Sequence, residues 1–316
     1  MKYLSRREYV FREEYLKLLS TTTNIQDAFR ILADKSFTSE LVSTWEESRG
    51  SHLSLLKTLD DFHISRLHEL VKQAKNTTLA TAVEGVYETY NATVGLINYF
   101  KGLKPTSFLP SMSLKHLEEY ISTSRPRLNP FVELLVKRCV RFKRVSRDDL
   151  ARVFDNIRRD IVYSSTQYER LIAGLLYDIT LLRLCSIQEL EEATFRPLLI
   201  NYDEYLELCR LARVDIPSAL DSTRRLRPIF SIISLMAEDV SKLSDKIEIF
   251  DFIATILPAY YANLMLHVYD SSELLKAYFL LLRQSVLLRL VLTSIVFNDE
   301  ELKNTLKTIV ERWVYP

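Results

Sequence analysis

The stretch Glu13-Glu14-Tyr15-Leu16 returns as Glu118-Glu119-Tyr120-Ile121 and again as Asp203-Glu204-Tyr205-Leu206, at lags of 105 and 85 residues in a chain of 316. A second landmark keeps the same count of three. Long apolar segments carry Tyr87-Glu88, Tyr177-Asp178 and Tyr278-Phe279, at lags of 90 and 101. A period of roughly one hundred residues is too long for stacked solenoid units of about 20 to 50 residues. It predicts three helical bundles, spanning residues 1–104, 105–200 and 201–316.

Helical periodicity runs from end to end, and strand-like alternation is never sustained. Asn24 is placed to cap a helix on which Ile25, Ala28, Phe29 and Leu32 share one face. Leu53, Leu56, Leu59, Ile64, Leu67, Leu70 and Val71 follow a 3–4 rhythm, with Asp60, Asp61, Arg66, Glu69 and Lys72 between them. Val83 to Phe100 predicts a further helix, stopped by Gly102, Lys104 and Pro105. Pro126 and Pro130 interrupt the second unit, and Ser146-Arg147-Asp148-Asp149 then reads as a helix start with acids in its first turn. Pro217, Pro228 and Pro258 are expected turns in the third unit. The fold class is all-α.

Only five glycines occur, and no phosphate-cradling GxGxxG or GxxxxGK[ST] is present. A formal charge of +1 gives no global field for nucleic acid. Cys139, Cys185 and Cys209 are too widely spaced for a zinc knuckle and are expected as reduced, buried thiols of a cytosolic protein. The N-terminus has no apolar core of signal-peptide length. Tyr278 to Phe297 is nearly long enough to span a bilayer, but it contains Arg283, Gln284 and Arg289, so a core helix is expected, with both arginines reaching solvent or carboxylates. Asp60-Asp61 invites comparison with the aspartate-rich helices of prenyl-transferring enzymes. The third acid such helices carry one turn later is missing, since position 64 is Ile. His63 and His68 stand five apart, off the spacing of four that aligns two imidazoles for zinc. No nucleophile motif, catalytic group, cofactor site or metal site is expected.

The strongest local charge lies between Arg125 and Arg159, where eleven basic side chains face four acids. Such a patch suits an acidic protein surface or anionic headgroups. Aromatic residues are not interleaved as single-strand nucleic-acid binders require. Arg125, Arg127, Arg141, Lys143, Arg144 and Arg147 are the candidate partner-binding residues.

In order and spacing, Tyr3, then Glu13-Glu14-Tyr15-Leu16, then Asn24 to Leu32, then Ser36-Phe37 and Leu41 resemble the opening of the central-stalk socket subunit of rotary ATPases. This family serves archaeal A-type ATP synthases and vacuolar-type ATPases alike. Tyr87-Glu88-Thr89-Tyr90-Asn91 stands where the family has a Tyr-Asp-x-x-Asn-like helix, and Asn298 to Leu306 fits its closing acidic helix. Gln284 and Ser285 depart from the pattern, standing where the family has acids. The resemblance implies three pseudo-symmetric bundles forming a funnel, whose mouth accepts the central-stalk subunits and whose base rests on the proteolipid rotor ring. The implied role is non-catalytic torque transmission during proton or sodium ion transport, peripheral to the membrane on its cytoplasmic face, with no nucleic-acid partner and no small-molecule substrate. An all-helical adaptor binding partner helices is the alternative, and a helical prenyl-transfer enzyme a third.

Overall fold

Several helices in this chain begin where short polar side chains can take up the free amides of a first turn. The Asn24 side chain accepts the Asp27 N–H at 3.0 Å, and Ser146 Oγ accepts that of Asp149 at 3.4 Å. A computed structural model describes residues 4–102, 112–125, 127–187, 190, 194–214, 222, 232–233, 235–236, 238–239, 246–265 and 273–314. Among these residues there are thirteen α-helices and no strand, so the protein is all-α.

In chain order the helices are α1 (Arg12–Thr21), α2 (Ile25–Ile31), α3 (Thr38–Glu47), α4 (His52–Lys72), α5 (Thr77–Phe100), α6 (Met112–Thr123), α7 (Pro130–Phe142), α8 (Arg147–Ser164), α9 (Gln167–Cys185), α10 (Tyr202–Val214), α11 (Lys246–Met265), α12 (Glu273–Val296) and α13 (Glu300–Trp313). Most follow the sequence periodicity. Pro130 opens α7 at its first turn, where its missing N–H costs nothing. Pro258 does not make the expected turn but lies inside α11, whose Ile253, Ile256 and Leu257 are fully buried. Packing there outweighs the one backbone hydrogen bond that proline removes. Pro217 and Pro228, like Lys104, Pro105 and Pro110, lie outside the described residues. On α4 the expected apolar face is buried from Leu56 to Val71, except that at its start Leu55 is buried in place of the exposed Leu53.

The chain forms two compact units, residues 1–72 with 238–316, and residues 73–237. In the first, α12 is the central helix, packed against α4, α11 and α13, while α1 lies along α13. In the second, α5 is surrounded by α6, α7, α8 and α9, and α10 packs on α9. These boundaries differ from the breaks expected near 104 and 200. The difference has a physical origin in α12, whose apolar surface is covered by α4 from the other end of the chain.

α12 is long and apolar enough to cross a membrane, yet 83% of its most apolar window is buried inside the protein. It is a core helix, and each leucine it removes from water contributes about 1.5 to 3 kcal/mol. Its arginines divide. Arg289 reaches the Asp60 carboxylate, as expected of a core helix with snorkelling stems. Arg283 instead remains inside, where it donates to Tyr9 Oη at 2.5 Å and lies 3.5 Å from the Trp313 carbonyl oxygen. Cys185 and Cys209 form a disulfide, correcting the expectation of three reduced thiols, while Cys139 is free and buried. The passage from α9 into α10 brings these two positions to a Cα separation of 5.3 Å, within bridging range.

Candidate functional site

The six basic residues singled out in the sequence fall at two ends of one helix. Arg125 and Arg127 are exposed just before α7, whereas Arg141, Lys143 and Arg144 are exposed at its far end, and the half-buried Arg147 opens α8. α7 has 13 residues. At 1.5 Å per residue, its ends are about 20 Å apart. The structure thus gathers four of the six around the α7–α8 turn and sets the other two apart.

That turn is shaped by a left-handed residue. Lys143 caps α7 at φ 51°, and the amides of Lys143 and Arg144 return to the carbonyls of Val140 and Cys139 at 3.3 and 3.2 Å. Cations at this end also oppose the negative pole of the helix dipole. Phe142 projects between them, 57% exposed, with the Arg141 guanidinium 5.5 Å from its ring centroid. An exposed aromatic ring framed by cations is suited to docking, with the ring supplying apolar contact and the charges setting approach. Below the turn, Arg138 pairs with Asp149 and ties α7 to α8. Burial pushes the Cys139 thiol up to about 11, so it is an inert part of the core.

Two buried polar side chains, which sequence reasoning did not assign, organise the starts of α10 and α1. Asp178 lies on α9, fully buried. Its Oδ1 accepts the Leu198 N–H at 2.6 Å, and its Oδ2 accepts those of Leu199 and Ile200 at 2.7 and 2.9 Å. Burial raises its carboxyl to about 6 against the pull of those three amides. Gly174, one turn earlier, makes the approach possible, since a Cβ there would stand 2.7 Å from Leu199. On α12, Gln284 Oε1 accepts the Val10 N–H at 2.7 Å, while Nε2 donates to the Glu8 carbonyl at 2.8 Å and to His63 Nε2 at 3.2 Å.

The neutral imidazole of His63 is satisfied at both nitrogens, because Nδ1–H donates to the Leu59 carbonyl at 2.8 Å. Burial pushes its pKa down to about 4, with Arg289 adding to the effect and the Leu59 bond opposing it. His52 meets Thr293 Oγ1 at 2.9 Å. Asp60 is engaged by Arg289, and burial raises its pKa above the ordinary carboxylate value despite that cation. Among the described residues no three His, Cys, Asp or Glu side chains are grouped to hold a metal ion.

Comparison with protein-family models, with curated proteins and with solved structures finds no match.

Proposed function

We infer that this chain is a non-catalytic coupling subunit of an A/V-type rotary ATPase, a socket between the central stalk and the proteolipid rotor ring. The observation that carries this reading is internal repetition at the level of side-chain roles. Tyr15 and Tyr205, from the first and third copies of the acidic-Tyr motif, are both buried on short helices. In each case the segment entering the helix is held by a buried polar side chain on a long core helix, Gln284 at Val10 and Asp178 at Ile200. Tyr120, in the remaining copy, is buried on α6 beside α5. Repeated helical units with close-packed interiors suit a part that transmits torque without bond chemistry.

The basic turn at Arg141 to Arg147 would orient the subunit on an acidic partner face, with apolar contact holding it seated. Exposed ion pairs, at about 0 to 1 kcal/mol each, are too weak to do so alone. Such a subunit works at the cytoplasmic face of the membrane. The disulfide fits that setting best in a hyperthermophilic host, where intracellular proteins are disulfide-rich.

A second reading, an all-helical adaptor for partner helices, is favoured by one observation. The contacts group the chain into two units where the socket reading calls for three. A photo-crosslinker in place of Phe142, activated in native membranes, separates the readings. Capture of a central-stalk or proteolipid subunit supports the socket, and capture of only unrelated proteins supports the adaptor.

A further inference from the structure

A second basic feature lies below the α7–α8 turn, beyond the Arg138–Asp149 pair. Along α8, Arg152, Asp155 and Arg159 recur at intervals of three and four, so they share a face. That face, with Arg138 of α7 and the segment at 194–196, encloses an open cavity of about 390 Å³. Its charged lining is Arg138, Arg152, Arg159 and Arg196 against Asp149 and Asp155, a formal excess of two positive charges.

The two acids are already engaged. Asp149 pairs with Arg138, and Asp155 lies 3.6 Å from Arg159. Arg152 and Arg196 are exposed, and among the described residues neither has a hydrogen-bond or ion-pair partner. Two unpaired guanidinium groups therefore face a concave site from different segments. Guanidinium forks match the tetrahedral oxygens of phosphate, each offering paired N–H donors. A phosphate monoester carries about −1.5 to −2 charges at neutral pH, which balances the excess on the lining. A cavity of this size also falls within the range of small-ligand sites, which begins at about 300 Å³.

We propose that this cavity binds a phosphate monoester, with Arg152 and Arg196 as its principal ligands and Arg159 as a third that Asp155 and Asn156 partly restrain. The site is independent of the rotary-motor reading, since it rests on unit 73–237 alone. The monoester belongs either to a soluble metabolite or to a lipid headgroup. Glycerol 3-phosphate titrated into the full chain by calorimetry, and flotation with phosphatidylcholine vesicles containing phosphatidic acid, distinguish these sources.

At about 150 mM salt, where long-range attraction is screened, saturable binding is expected in one arm at least. Saturation by glycerol 3-phosphate identifies a soluble ligand, and binding confined to the vesicles identifies a lipid. The double variant Arg152→Gln/Arg196→Gln should weaken that binding at least tenfold with unchanged far-ultraviolet circular dichroism. Asp155→Asn, which breaks the Arg159 ion pair while leaving its hydrogen bond to Asn156 and removes a negative charge, should tighten it several-fold. Absence of binding in both arms overturns the proposal. So does undiminished binding by the double variant, or equal flotation with phosphatidylserine, whose phosphate is a diester.

Discussion

Gln284 Oε1 receives the Val10 N–H at 2.7 Å, across 274 residues of sequence. Asp178 does the same for Ile200 at 2.9 Å. Both acceptors stand on long core helices, Gln284 on α12 and Asp178 on α9. Their targets are in register, each five residues before the motif tyrosine, Tyr15 or Tyr205. A core helix in each unit thus fixes the chain entering a short helix from the inside.

Gln284→Ala should be costly, because it strands the Val10 amide, the Glu8 carbonyl and His63 Nε2 together in the interior. Each unsatisfied buried group costs about 1 to 3 kcal/mol, so a loss of about 3 kcal/mol or more is expected. Urea unfolding of the wild type and the variant measures it.

His63 and Asp178 should tilt stability in opposite directions with pH. The folded pKa of His63 lies at about 4, below its ordinary 6.5. Its unfolded form therefore takes up protons first, and its contribution is lost as pH falls from about 6.5 to 4. The folded pKa of Asp178 lies at about 6, above its ordinary 3.8. Its contribution is present at low pH and is lost as pH rises through about 6. Each effect is on the order of 3 kcal/mol. The wild-type advantage over His63→Gln should grow between pH 4 and 6.5, and that over Asp178→Asn should shrink between pH 4 and 6. Unfolding free energies across this range check both slopes.

The disulfide makes a simple count possible. Unfolded without reductant, the chain should show one reactive thiol, Cys139, and after reduction three. Closing a loop over 24 residues stabilises by about 3 kcal/mol in the chain-entropy account, so reduction should lower the unfolding midpoint accordingly. Three reactive thiols before reduction would contradict the bridge.

Reversing Arg141, Lys143, Arg144 and Arg147 to Glu tests the basic turn. The first three are exposed and Arg147 is half-buried at a helix start, where a negative charge suits the dipole. The isolated fold should therefore persist, while assembly with the partner slows and its salt dependence weakens. Unchanged association kinetics across a salt series would leave the turn as solvated surface.

The helices were legible in the sequence because caps and apolar rhythm act locally. Asn24 and Ser146 each start a helix where their chemistry places one, whereas Pro130, expected as an interruption, opens α7. The grouping into units was not legible, since it depends on α12 lying against α4, a pairing that no local pattern encodes. The role of Gln284 was hidden for a related reason. Tyr278-Phe279 matched the other landmarks by residue type, but the hydrogen-bonding equivalent of Asp178 is five positions further on, where a glutamine replaces the acid. The basic turn could be read from charge alone. The cavity could not, because Arg196 joins Arg152 only through the fold.

The coupling role is tested most directly by tagging the chain and purifying it from native membranes in mild detergent, with the co-purifying subunits identified by mass spectrometry. The socket reading predicts a proteolipid ring and nucleotide-binding subunits in constant ratio to the chain. Recovery of the chain without either, from membranes in which the motor itself is intact, would contradict it.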